Sequence, residues 1–287
     1  MATLTVADDE ASLAETAAER ITTLLEQAIA RRGSAVLSLT GGGTPRRLYS
    51  LLADGARPWR GRIDWPRVHL FWGDERHVPP DHEDSNFGMA ERTLLRHVGV
   101  PAEHIHRMRG ELADATAAAT EYAREIVTGF ARAGRDDTTF DVMLLGLGED
   151  AHIASIFPGS ELLKRRPLQG PADDAGSDRS PGFPSKPPET QRSATPGQAA
   201  RGHADDPPVA AVWAEHLNAW RITLTPDAIL DSRAIVMVVS GASKAEAVRA
   251  ALEEPLDVSR RPAQLLREAG ERVDWIVDRD AAGRLRH

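Results

Sequence analysis

The chain runs to 287 residues, 41% hydrophobic and 27% charged, with a net charge of -8 at pH 7. That is enough for one large globular domain or two small ones, and too acidic for non-specific nucleic-acid binding, which needs a basic surface. The absence of cysteine excludes disulfides, thiolate catalysis and cysteine-ligated zinc or iron–sulfur centres.

In chain order, strand and helix patterns alternate. Residues 11–30 predict an amphipathic helix with Ile21, Leu24, Leu25 and Ala28 on one face. The apolar run Ala35–Leu39 predicts a buried strand; Gly41-Gly-Gly43 follows, and Pro45 suits the first position of a new helix. Val68–Trp72 predicts a second strand, 86–98 and 112–132 two helices, and Val142–Leu145 a third strand. Residues 221–225 and 234–239 predict further strands, 243–253 a helix, and 273–277 a last strand continuing the same sheet. The alternation implies an α/β fold, a mostly parallel sheet with helices on both faces. Residues 164–208 break the pattern. Nine of the 19 prolines fall there and Phe183 is its only aromatic, so it is expected to be a disordered or loosely packed insertion rather than a domain linker. No apolar run reaches the roughly 18 residues of a membrane span, and the start lacks a signal peptide's basic and apolar segments, so the expected compartment is the cytoplasm.

Four loops concentrate the chemistry, each after a predicted strand, where α/β sheets bind ligands. Leu39-Thr-Gly-Gly-Gly-Thr-Pro45 offers backbone N–H groups and hydroxyls to an anion at a helix start; it matches neither a P-loop nor a dinucleotide fingerprint. Phe71-Trp-Gly-Asp-Glu-Arg-His-Val-Pro79, with Ser85-Asn86 after it, supplies Arg76 as a planar phosphate fork, while Asp74 and Glu75 can orient hydroxyls or the arginine. A charged run of this kind also fits a solvated loop. In Gly146-Leu-Gly-Glu-Asp-Ala-His-Ile-Ala-Ser-Ile-Phe-Pro-Gly159, Asp150 and His152 stand two residues apart, and histidine is the side chain best suited to proton transfer near neutral pH. Taken alone, His152 equally fits a helix cap. In Ser240-Gly-Ala-Ser-Lys-Ala245, Lys244 falls in a helix's first turn, unfavourable with the macrodipole unless an anion is present, although a surface lysine is the plainer alternative. The histidines lack metal-ligand spacing, and the nucleophile elbow Gly-x-Ser-x-Gly is absent.

Together and in this order, these four segments resemble the 6-phosphogluconolactonase family across nearly the whole chain except 164–208. The resemblance implies a single domain over 1–287 with the α/β fold shared with glucosamine-6-phosphate deaminases. It implies hydrolysis of 6-phospho-D-glucono-1,5-lactone to 6-phosphogluconate in the oxidative pentose phosphate pathway, without cofactor or metal. It casts His152 as general base with Asp150 beside it, and Arg76 and Lys244 on the phosphate. Gly42, Gly43, Thr44, Asp74, Asn86 and Arg221 complete the expected substrate site. The expected partner is a small sugar-phosphate lactone, with no nucleic acid or membrane, bound by a monomer or small homo-oligomer. Two departures stand out: Ala151 replaces the family's glycine, a residue freer to take positive φ, and His216-Leu-Asn-Ala-Trp-Arg221 replaces a Lys-Pro-Pro approach to the strand. The alternatives are a sugar-phosphate isomerase/deaminase, which would need an Asn-Glu-Pro where Ile156-Phe-Pro158 stands, and a non-catalytic sugar-phosphate sensor, which would carry a DNA-binding module.

Overall fold

The computed structural model describes residues 2–164 and 207–286, so the expected insertion lies, but for its ends, outside the described residues. In chain order the elements are β1 (Thr3–Ala7), α1 (Glu10–Arg32), β2 (Ala35–Leu39), α2 (Gly43–Ala53), α3 (Pro58–Arg62), β3 (Val68–Trp72), β4 (Asp74–Arg76), α4 (Asn86–Thr93) and α5 (Ala115–Arg132). They continue with β5 (Val142–Leu145), α6 (Glu161–Lys164), β6 (Val209–Ala214), β7 (Ala219–Leu224), α7 (Pro226–Leu230), β8 (Ile235–Val239), α8 (Ala245–Glu253), β9 (Val273–Asp278) and α9 (Arg279–Ala282).

Six strands form a wholly parallel sheet in the order β1-β9-β8-β5-β2-β3. Every residue of β2, β3, β5 and β8 is buried, which is why these strands read as short, largely apolar runs. Successive residues serve opposite faces. Val36, Phe71, Met143 and Met237 share one core with Tyr122 and Phe130 of α5 and Val248 of α8. Leu37, Leu70, Leu144 and Val236 share the other with Ile21 and Leu25 of α1 and Leu48 of α2. The fold is α/β with helices on both faces, as the alternation implies. α1 is fixed at both ends by local chemistry: Asp9 and Ser12 form a reciprocal capping box, and Gly33 closes the helix at φ 81°.

The strand expected at 221–225 does not continue the main sheet. As β7 it pairs antiparallel with β4 and β6 in a second, three-stranded sheet. Gly73 is the step between the two. Its N–H donates to Leu39 O at 2.8 Å, extending the β2–β3 ladder, and its carbonyl accepts from Leu224 N at 2.8 Å. Helix starts shift slightly as well: α2 begins at Gly43, two residues before Pro45, and a 3-10 turn over Ala242–Lys244 precedes α8.

After β3 the chain returns to the other side of β2 to lay down β5, so the strand order reverses between β2 and β5. Ligands of open α/β sheets bind in the crevice beyond such a reversal, at the carboxyl ends of the strands. All four chemistry-bearing loops emerge from that edge, after β2, β3, β5 and β8.

Candidate active site

The loop after β5 holds Asp150 and His152 as a bonded pair. His152 Nδ1 donates to Asp150 Oδ1 at 2.6 Å, and the His152 backbone N–H donates to the same oxygen at 3.1 Å. This fixes the proton of the neutral ring on Nδ1 and leaves the Nε2 lone pair free. The His152 side chain keeps 30% of its surface exposed, so a water molecule can reach it. Partial burial works to raise the Asp150 pKa, but the hydrogen bonds and charge of His152 outweigh it and bring it down to about 2. Asp150 is therefore an anion throughout the neutral range.

Ala151 takes a left-handed conformation that glycine adopts more freely. It sits at φ 65° and is buried, its N–H donating to Gly148 O at 3.0 Å and its carbonyl accepting from Ala263 N at 2.9 Å. Gly148 is required for a different reason: a Cβ there would overlap Nδ1 and Cε1 of His152. On its other side the His152 ring packs on Phe157 at 4.6 Å between centroids, and Phe157 in turn meets His216 at 4.9 Å. The departing hairpin around His216 thus reaches the aromatic wall of this loop.

The loop after β2 lies beside the loop after β8. Gly42 at φ 110° leads into α2, and the hydroxyls of Thr44 and Ser240 share a hydrogen bond at 2.8 Å. Thr44 in α2's first turn stands next to the turn that ends in Lys244, whose ammonium has no salt bridge among the described residues. Asp278, at the end of β9, accepts the Gly241 N–H through both oxygens, at 3.1 and 3.0 Å, and so anchors the Lys244 turn.

On the small sheet, Arg76 of β4 and Arg221 of β7 stand directly opposite each other. Among the described residues, their charged groups bond only backbone carbonyls, of Asp84 at 2.6 Å and Trp220 at 3.0 Å. Like charges in facing strand positions repel. Burial first, and then the neighbouring Arg76 charge, lowers the Arg221 pKa. An anion between them would relieve both penalties.

Asp74, Glu75 and Asn86 are buried and spend their polar atoms on the protein. Glu75 accepts from the backbone N–H groups of Arg76, Asn86 and Phe87 at 2.7–2.8 Å and from the Ser85 hydroxyl at 3.1 Å, tying β4 to the start of α4. Its burial outweighs these bonds and raises its pKa to about 7. Asn86 Nδ2 donates to Asp74 O at 2.9 Å, and the Asn86 carboxamide fills the space a Gly41 side chain would need. Sequence reasoning missed the two tyrosines. Tyr49 OH brackets Thr40, accepting from its N–H at 2.9 Å and donating to its carbonyl at 2.8 Å; Tyr122 OH brackets Trp72 at 2.8 and 3.0 Å. Each clamps the residue where a strand gives way to a site loop. Being the only tyrosines in the chain was the one signal available.

The sequence profile described as glucosamine-6-phosphate isomerases/6-phosphogluconolactonase matches residues 8–186 and 193–275. The chain is 34% identical over 274 residues to the 6-phosphogluconolactonase of Synechocystis, covering 96% of this chain and 94% of that one. It is also 34% identical over 284 residues to that of Mycobacterium tuberculosis, covering 96% of each. The solved 6-phosphogluconolactonase of Trypanosoma brucei has the same fold, with a TM-score of 0.72 at 24% identity over 100% of this chain and 99% of that one. Among the described residues no helix is long and apolar enough to cross a membrane, and no group of three or more His, Asp or Glu is arranged to hold a metal ion. Fold, site loops and full-length similarity agree: the chain belongs to the glucosamine-6-phosphate isomerase/6-phosphogluconolactonase family.

Proposed function

We propose that this protein hydrolyses 6-phospho-D-glucono-1,5-lactone to 6-phospho-D-gluconate, with His152 as general base, as a step of the oxidative pentose phosphate pathway in the cytoplasm. The observation that carries the reading is the His152–Asp150 bond at 2.6 Å, which leaves Nε2 as the free base on a ring open to water. A lactone is an activated ester that needs neither metal nor covalent cofactor to be cleaved by water. Nε2 takes a proton from water as the water oxygen bonds to the C1 carbonyl. The tetrahedral adduct then collapses, the bond from C1 to the ring oxygen breaks, and the imidazolium returns its proton to that oxygen. Asp150 stabilises the transient imidazolium. Arg76, Arg221 and Lys244 grip the phosphate with the α2 start at Gly42, Gly43 and Thr44, so that remote binding energy holds C1 against the base. Phe157, where a deaminase would place an acid, argues against the isomerase/deaminase alternative.

The test is turnover of freshly generated 6-phosphogluconolactone, corrected for spontaneous hydrolysis, beside unphosphorylated gluconolactone. Turnover confined to the phosphorylated lactone is expected. His152→Asn should lower kcat about 100-fold or more, the scale of general-base catalysis. Arg76→Ala should raise KM about 10-fold through loss of a charge-assisted contact. No turnover by the parent protein, or a His152→Asn variant close to parent, would overturn the assignment.

A further inference from the structure

The loop carrying His152 is held under backbone strain. Among the described residues, three non-glycines have positive φ, and two of them, Ala151 at 65° and Ala154 at 47°, flank His152. Such conformations persist only where surrounding contacts over-determine them. Part of the restraint is local, through Gly148 N donating to His152 O at 2.9 Å, and part comes from the segment before β9, where Ala263 N donates to Ala151 O at 2.9 Å. The rest comes from the other sheet. Ser155, next to Ala154 and buried, donates its hydroxyl to Asp74 Oδ2 at 2.7 Å and its backbone N–H to Thr223 Oγ1 at 3.2 Å. Asp74 and Thr223 face each other in the β4–β7 register. The second Asp74 oxygen accepts from Asn86 Nδ2 at 3.3 Å, so both oxygens of this buried carboxylate are engaged by protein donors.

We propose that Asp74 and Ser155 form a clasp that acts as a pair of positioning residues for His152, and that Asp74 spends its charge on this clasp rather than on substrate. The base hangs from the main sheet through β5, whereas Arg76 and Arg221 stand on the small sheet, each two residues from Asp74 and Thr223 respectively. The Ser155 hydroxyl therefore bridges the part that attacks the lactone and the part that holds its phosphate. It sets the distance between them. This rests on the reading of His152 as the base.

Ser155→Ala in the full chain removes the bridge and leaves Arg76, Arg221 and Lys244 intact. The expected result is a fall in kcat of about 10-fold or more, with KM for the phosphorylated lactone within about 3-fold of parent, because small misplacements of a base cost rate rather than affinity. Adding Ala154→Gly to Ser155→Ala removes the strain that the clasp opposes, and kcat should recover several-fold over the single variant; a generally damaged fold would not be rescued by a glycine. Should Ser155→Ala fail to fold, the near-isosteric Thr223→Val, which removes the acceptor of the Ser155 N–H, carries the same expectation of lowered kcat at constant KM. Parent-like kcat in the folded variant, or a loss confined to KM, overturns the clasp. Absence of turnover in the parent protein overturns instead the reading it rests on.

Discussion

At the scale of single residues, the site is built from close approaches that tolerate no added atom. Gly148 has ordinary backbone angles, so alanine fits its φ, yet its new methyl would lie in the His152 ring. Gly148→Ala should therefore fold with a melting temperature near that of the parent while kcat falls about 100-fold, because the imidazole must swing away from the attack position. A parent-like kcat would show that the ring has room to adjust. Asp150 and His152 were legible in sequence because their bond spans two residues and follows a strand. Ser155 and Thr223 were not: their bond joins positions 68 apart, and nothing in either neighbourhood marks the residue as more than a polar side chain. Asp74 and Asn86 were legible as members of a motif, but their engagement with each other and with Ser155 became visible only in three dimensions. Ala151 shows the limit of motif matching, since this left-handed turn forms without a glycine.

Among elements, most of the parallel sheet was readable from its buried strands, whereas its edge strand β1 and the small sheet's β6 were not, and β7 was readable as a strand but not as part of a second sheet. β1 has four exposed residues out of five, and β6 follows a proline-rich stretch, so neither carries the continuous apolar signal of β2 or β8. The packing of β3 against α5 hides a cluster that spacing alone did not suggest. His69 stacks on His104 at 3.8 Å and shares a hydrogen bond with His106 at 3.1 Å; His106 Nδ1 bonds Glu125 at 2.7 Å. Burial above all, and then the neighbouring His104 and His106, lowers the His69 pKa to about 3; burial also lowers that of His106, against the pull of Glu125. Unfolded histidine titrates near 6.5. Below that pH the unfolded chain takes up protons that the folded cluster refuses, so the stability present above pH 6.5 drains away as pH falls toward 3. Glu75 acts with the opposite sign: with a folded pKa raised to about 7, its contribution is present at low pH and lost as pH rises through 7. Melting temperature measured from pH 7 to pH 4.5 should fall less steeply for His69→Gln than for the parent. An equal slope would remove His69 from the acid response.

For the whole molecule, the facing Arg76 and Arg221 are a repulsion built into the small sheet, and a bound anion should repay it globally. Inorganic phosphate is expected to raise the melting temperature in proportion to its binding to the folded state alone. Arg76→Ala should weaken that increment and raise the melting temperature without phosphate; an unchanged increment would place the anion elsewhere. The strand order carries a further consequence, for the time course of synthesis. β1 is made first but pairs with β9, and the turn bearing Lys244 is tethered to Asp278 at the end of that same strand. A chain emerging from the ribosome therefore holds its first strand without a neighbour while β2, β3, β5 and β8 are laid down. His152 and both arginines are already outside by then, but the turn bearing Lys244 still lacks its Asp278 anchor. Catalytic competence should arrive late and all at once, with the emergence of residues 273–278.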